Sequence, residues 1–315
     1  MNKALTIALC IISLGMVSMT YYSNVETKPI AKLGEKLFNE KLLSKDYSIS
    51  CASCHKPEFA FADTAAFSRG IHNTLTTRNT PSVLNMKNRP YFFWDGRSGS
   101  LNEQALLPIQ NTNEMGLPID EAVKRLNESP FYKAYFKKVF GTSPNKENLA
   151  TAFAEYEKSL ETTNSPFDDW SNDNSKLTKS QERGRQLFVG DKAKCFNCHS
   201  MEDFTDDDFK NIGIFDGGKF NDSGRYLITH KKEDIGKFKT PGLRNVAVTA
   251  PYMHNGMFKT LEEVVDYYND PQKVIPNSIG IDSSLSKPLT LTNQEKKDLV
   301  AFLKTLTDIA FTWKK

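Results

Sequence analysis

The chain has 315 residues, 41 basic against 38 acidic, and 39 % of it is hydrophobic. That length suggests about two domains, and the apolar content excludes wholesale disorder. A net charge of +3 excludes a nucleic-acid binder, which needs a strongly basic face. With apolar sequence dense enough for a membrane only in the first 20 or so residues, a polytopic membrane protein is excluded too.

Lys3 followed by an apolar run over 4–17 reads as a secretory leader, residues 1–22. Ser18-Met19-Thr20 is a poor cleavage site, so an uncleaved N-terminal anchor is the alternative. Cys10 lies inside the apolar run rather than after it, which disfavours a lipoprotein site. Either reading exports the chain.

The exported part carries a weak repeat. Gly34-Glu35-Lys36-Leu37-Phe38 precedes Cys51-Ala52-Ser53-Cys54-His55, and Gly184-Arg185-Gln186-Leu187-Phe188 precedes Cys195-Phe196-Asn197-Cys198-His199. The spacing predicts two helices over 119–139 with a break at Pro130, and another over 145–160. Asn, Ser, Asp and Pro cluster at 162–176, which reads as a linker. The Gly/Pro/Asn-rich stretch 200–241 is too long for an unsupported loop. In 261–269, Leu261, Val264, Val265 and Tyr268 share one helix face, so Tyr268 is expected to point inward and Tyr267 elsewhere. Thr292 and Glu295 form a capping box ahead of Leu299, Phe302, Leu303 and Leu306. With no long alternating run, the expected fold is all-α: two domains, 28–165 and 175–315, each around its own C-x-x-C-H.

Two thiols and a following histidine are what covalent c-type haem requires: both thiols add to porphyrin vinyl groups, and the imidazole takes the iron. Zinc ribbons place their pairs far closer together, and a thioredoxin-like dithiol has no use for the histidine. Cys51, Cys54, Cys195 and Cys198 are thus the expected attachment residues, His55 and His199 the proximal iron ligands. Two c-type haems place the chain in the periplasm, where export leads. The remaining histidines are His72, His230 and His254. His230, between Thr229 and Lys231-Lys232, reads as a solvated surface residue.

The ordered blocks Arg78-Asn79-Thr80-Pro81-Ser82, Phe93-Trp94-Asp95-Gly96-Arg97, Gln104 through Pro108 to Glu114-Met115, Thr240-Pro241-Gly242-Leu243-Arg244-Asn245 and Thr249-Ala250-Pro251-Tyr252-Met253-His254-Asn255-Gly256 resemble the bacterial dihaem cytochrome c peroxidase and MauG family over nearly the whole exported chain. The resemblance implies two cytochrome c-like domains with calcium between them, the N-terminal haem peroxidatic and the C-terminal one electron-storing. It implies that Trp94 relays electrons between the haems. It further implies that Gln104, Pro108 and Glu114 line the peroxidatic pocket, with Glu114 as acid–base, and that Asn79 with the Thr249 and Pro251 carbonyls holds calcium. His72 lies in a stretch resembling the loop whose histidine blocks the peroxidatic iron in many peroxidases, whereas MauG-type members leave that iron open. Tyr268 stands 14 residues after His254, where peroxidases carry a Met ligand to the second iron and MauG-like proteins a Tyr; Met257 is the alternative ligand. His254 resembles a structural residue near haem or calcium. MauG-type proteins also carry a Trp just before the second motif, a place held here by Ala193.

Three functions follow: hydrogen peroxide reduction with electrons from a small cytochrome or cupredoxin, peroxide-driven oxidation of a partner protein, or electron transfer without catalysis. Glu114 with Gln104 argues against the last. A membrane anchor and a homodimer complete the partners considered.

Overall fold

The computed structural model describes residues 28–200 and 202–312; the leader, 1–22, lies outside them. Among the described residues no helix is long and apolar enough to cross a membrane. Among the described residues sheet is confined to one antiparallel pair of two-residue strands, β1 (Phe209–Lys210) and β2 (Phe238–Lys239). The fold is all-α.

The first half holds α1 (Pro29–Phe38), α2 (Leu101–Gln110), α3 (Ile119–Glu128), α4 (Pro130–Phe140) and α5 (Lys146–Ser159). The break between α3 and α4 falls where the sequence puts it: Ser129 ends one helix and caps the next, its Oγ accepting the Tyr132 N–H. Pro130 can open a helix but cannot continue one. The second half holds α6 (Pro166–Ser171), α7 (Lys179–Val189), α8 (Tyr226–Thr229), α9 (Leu261–Asn269), α10 (Pro271–Val274) and α11 (Asn293–Lys304). Capping boxes open α7, α9 and α11 at Thr178, Thr260 and Thr292.

Leu33, Leu37, Phe38, Leu126, Phe136 and Phe153 form the first core, and Phe188, Leu299, Phe302, Leu303 and Leu306 anchor the second. In each half one helix pair crosses at a glycine. A Cβ on Gly34 of α1 would collide with the Ala152 carbonyl of α5, and one on Gly184 of α7 with the Asp298 carbonyl of α11. The repeated glycines are therefore contact points between backbones, where only hydrogen fits. Gly184→Ala is expected to lower stability by about 1–3 kcal/mol through overpacking, measured by chemical denaturation of the holoprotein; an unchanged midpoint would show that α7 shifts without cost.

The segment 162–176 is not the irregular linker expected from its composition. It contains α6, opened by a Ser165–Asp168 capping box, and it is tied down at Thr162 by Asn85 and Asn245. Arginines bolt the halves together. Arg78 chelates Asp222 (2.7 and 2.8 Å) and also reaches Asp95. Arg89 bridges Asp203 and Asp207, and Arg225 donates to the carbonyls of Asp95 and Gly96. Two-pronged guanidinium–carboxylate pairs fix orientation as well as distance. At the C-terminal end, the Ile309 N–H bonds the Asn164 carbonyl and Phe311 packs into the first core. The long stretch 200–241 is organised around buried Asn211, whose side chain donates to the Ile235 and Ile279 carbonyls and accepts from the Gly213 N–H.

Candidate active site

Each C-x-x-C-H forms a single tight turn, Cys51–Ser53 and Cys195–Asn197, closed by an N–H from the histidine to the first cysteine carbonyl at 2.9 Å. In both, the next loop returns a carbonyl to the imidazole: Phe61 O lies 3.1 Å from His55 Nδ1, and Phe204 O 3.0 Å from His199 Nδ1. Phe61 and Phe204 reach that pose with φ of 57° and 58°. Nδ1 is thus engaged, which fixes the tautomer and leaves Nε2 as the free lone pair. Burial lowers both histidine pKa values, favouring the neutral, ligating form. Burial also pushes the thiols up, Cys54 and Cys198 to about 11 and Cys195 to about 12. Gln104 Oε1 in the first half and Thr240 Oγ1 in the second are buried polar atoms with no partner among the described residues. The residues fit a covalent haem at each turn.

The two halves match far beyond the motifs. Thr80-Pro81 and Thr240-Pro241, Trp94 and His254, Gly96 and Gly256, Ser100-Leu101 and Thr260-Leu261 all stand 160 positions apart. The loops close alike, with Phe92 bridged to Ser98 and Tyr252 to Phe258. Ser100 caps α2 by accepting from Glu103 N, as Thr260 caps α9 by accepting from Glu263 N. On this register Tyr268 of α9 corresponds to Pro108 of α2.

Tyr268 lies near Cys195 and Cys198, and burial pushes its hydroxyl above the ordinary tyrosine value. No described residue hydrogen-bonds that hydroxyl. Tyr267 does face another way, but it too is interior: 1 % exposed, packed with Phe258 and Ile275, its hydroxyl on the Ile212 carbonyl at 2.8 Å. Met257 packs in that same third cluster.

In the first half, Glu114 sits in the turn after α2, with Oε1 accepting from Asn111 Nδ2 at 2.6 Å. Burial raises its pKa, against the pull of Asn111 and Arg97. Asn111 is a functional candidate that sequence reasoning missed, although it stands only three positions before Glu114. Trp94 lies between the halves: its indole N–H donates to the Asn79 carbonyl at 2.8 Å, and its own carbonyl accepts from Lys239 N of β2.

Residues 28–176 match the family profile described as di-haem cytochrome c peroxidase, and residues 181–307 match that of cytochrome c. The chain is 37 % identical over 289 residues to methylamine utilization protein MauG of Methylorubrum extorquens, covering 90 % of this chain and 80 % of that one. The chain belongs to the dihaem cytochrome c peroxidase/MauG family. Its two cytochrome c domains imply two c-type haems. Another relative of this dihaem chain is cytochrome c551 peroxidase of Nitrosomonas europaea, 32 % identical over 323 residues, covering 97 % and 92 % of the two chains. A solved MauG-like protein associated with microbial copper homeostasis superposes with a TM-score of 0.82 at 33 % identity, over 91 % of each chain.

In this dihaem chain His72 projects from a turn at φ 54°, its side chain 67 % exposed and Nδ1 3.7 Å from Asp46; it is not gathered into the His55 pocket here. His230 is exposed. His254 is 5 % exposed and stacks on Phe238 (centroids 3.7 Å, 12°), 6.5 Å from Trp94; burial lowers its pKa to about 4. Asn79 docks on this loop, its N–H on the His254 carbonyl at 2.7 Å and its amide nitrogen on the Ala65 and Ala66 carbonyls. That leaves Asn79 Oδ1, and with it the Thr249 and Pro251 carbonyls, without a donor among the described residues. Oxygen donors of this kind suit a hard cation.

Proposed function

We propose that this chain reduces hydrogen peroxide to water at the His55 site, using electrons relayed from the His199 site. The observation that carries this reading is the asymmetry at one helix position. Where α9 offers the Tyr268 hydroxyl, α2 has Pro108, which has no ligating atom, and the buried carboxyl of Glu114 stands close by. A haem held by Cys51, Cys54 and His55 would supply the redox-active iron for breaking the peroxide O–O bond. Glu114 then takes a proton from one peroxide oxygen and returns it to the leaving oxygen, while Asn111 holds the carboxyl in place. Gln104 presents its free Oε1 to the same pocket. Tyr268 would hold the other haem's iron together with His199, with Met257 the alternative.

Asn79 with the Thr249 and Pro251 carbonyls is the calcium site of this proposal. Export through the 1–22 leader places it in the periplasm, with a small cytochrome or cupredoxin as donor. His72, exposed on its turn, stays outside this reading; in its alternative role it would block the His55 site until reduction displaces it. The second reading, peroxide-driven oxidation of a partner protein as in MauG-like relatives, is favoured by Tyr268 alone.

The test is rapid mixing of diferric holoprotein with hydrogen peroxide, followed by turnover with a reduced cytochrome or cupredoxin. Peroxide consumed with stoichiometric donor oxidation supports the reading; a spectrum that peroxide leaves unchanged overturns it. Trp94→Phe is expected to slow communication between the two sites while leaving peroxide binding intact. Rapid-mixing spectra showing unchanged coupling and only weaker binding would return Trp94 to the role of a core aromatic.

A further inference from the structure

The second half has a solvent-open cavity of about 490 Å³ between α6, α7 and the Cys195–Asn197 turn. One part of its wall is aromatic, beside the charged side chains of Asp168, Arg185 and Arg244. Trp170 packs on Phe167 (centroids 5.5 Å), Phe167 on Phe204 (5.0 Å), and the Phe204 carbonyl holds His199 Nδ1 at 3.0 Å. The series thus runs unbroken from the surface to the proximal histidine. Phe196 and Val189 rim the cavity, 45 % and 47 % exposed. Trp170 is half-buried, and no described residue accepts from its indole N–H. Trp94, by contrast, has its N–H committed to Asn79.

We propose that Trp170 is a redox-active residue, the outer end of an aromatic path through which electrons reach the His199 site from the protein surface. Indole is oxidised by one electron more readily than the phenylalanine rings behind it, so the charge rests at Trp170 and crosses Phe167 and Phe204 by tunnelling. The Arg185 guanidinium lies 4.8 Å from the Trp170 ring and opposes a cation there, although its own pairing with Glu182 softens that effect. Electron loss is therefore coupled to release of the Nε1 proton into the open cavity, giving a neutral indolyl radical. The step balances as follows: Trp170 gives one electron to the oxidised His199 site and one proton to water. A one-electron donor protein then returns the electron, and water the proton. Two such cycles supply the electrons that reduce one hydrogen peroxide, with two protons, to two waters. This inference rests on the proposed peroxide chemistry for its oxidant.

The experiment treats diferric holoprotein with hydrogen peroxide in the absence of donor. It uses wild type, Trp170→Phe and Phe167→Leu, each first checked for full content of both haems. Freeze-quench EPR of protein made with ring-deuterated tryptophan should show an indolyl radical in wild type, lost in Trp170→Phe and reduced in Phe167→Leu. Peptide mass spectrometry should find oxygen added at Trp170 in wild type, ahead of Trp94 and Trp313. If peroxide is consumed but the radical persists in Trp170→Phe, or oxygen is added only at Trp94 or Trp313, the inference falls and the peroxide reading stands. If wild type consumes no peroxide, both fall.

Discussion

Glu114→Gln is expected to cut peroxide turnover by roughly 100- to 10,000-fold, the usual contribution of a positioned acid–base, while both haems stay attached. Glutamine keeps the shape and can still bond Asn111, whose amide now faces the Oε1–Asn111 contact of 2.6 Å, but it cannot take a proton. The pH profile carries the sharper signature. Burial raises the Glu114 pKa above the ordinary 4.5, and only the ionised carboxylate acts as base. Turnover in wild type should thus fall as pH drops through that raised value, and this acid limb should vanish in the variant. Steady-state assays across pH decide it; near wild-type turnover in Glu114→Gln would remove Glu114 from the chemistry.

Tyr268→Met is expected to raise the reduction potential of the second site by at least about 0.1 V, a fraction of the roughly 0.8 V range that axial ligands command. A phenolate is anionic and favours the more oxidised iron, whereas a thioether favours the ferrous state. The unbonded Tyr268 hydroxyl near Cys195 and Cys198, beside a Tyr267 whose hydroxyl donates to the Ile212 carbonyl, supports the proposal that Tyr268 is the ligand. A spectroelectrochemical titration of both proteins tests it. A wild type that already shows a high-potential His/Met site would hand the ligand to Met257 and make an electron-storing second haem the better description.

Much of the fold was legible because its signals are local. The capping boxes at Thr260 and Thr292, the Pro130 break and the two C-x-x-C-H turns each need only a few adjacent residues. The Ser165–Asp168 box was equally local, yet composition hid it: Asn, Ser, Asp and Pro read as linker even where they cap a helix. The internal match between the halves was only partly visible. The histidines stand 144 residues apart but the later blocks 160, so a fixed-period comparison loses register after the first motif, because the second half inserts residues between His199 and Pro241. The Arg78–Asp222 pair joins residues also 144 apart, and nothing in either neighbourhood marks the partner. Asn211 looks like one more polar loop residue until its carbonyl partners, far along the chain, are in place. A single helical stripe predicts one buried face, whereas α9 lies between two apolar clusters, so Tyr267, facing away from Tyr268 as expected, is buried too.

The seating of Phe311 in the first core separates the order of manufacture from the order of completion. A chain made from its N-terminus usually folds domain by domain in that direction. Here Phe311 fills part of the first half's core, so that core is complete only once residues 309–311 have been made and the Ile309–Asn164 bond has closed. Residues 309–311 thus act as a clasp: the interior of the first half is finished only by a piece of the second.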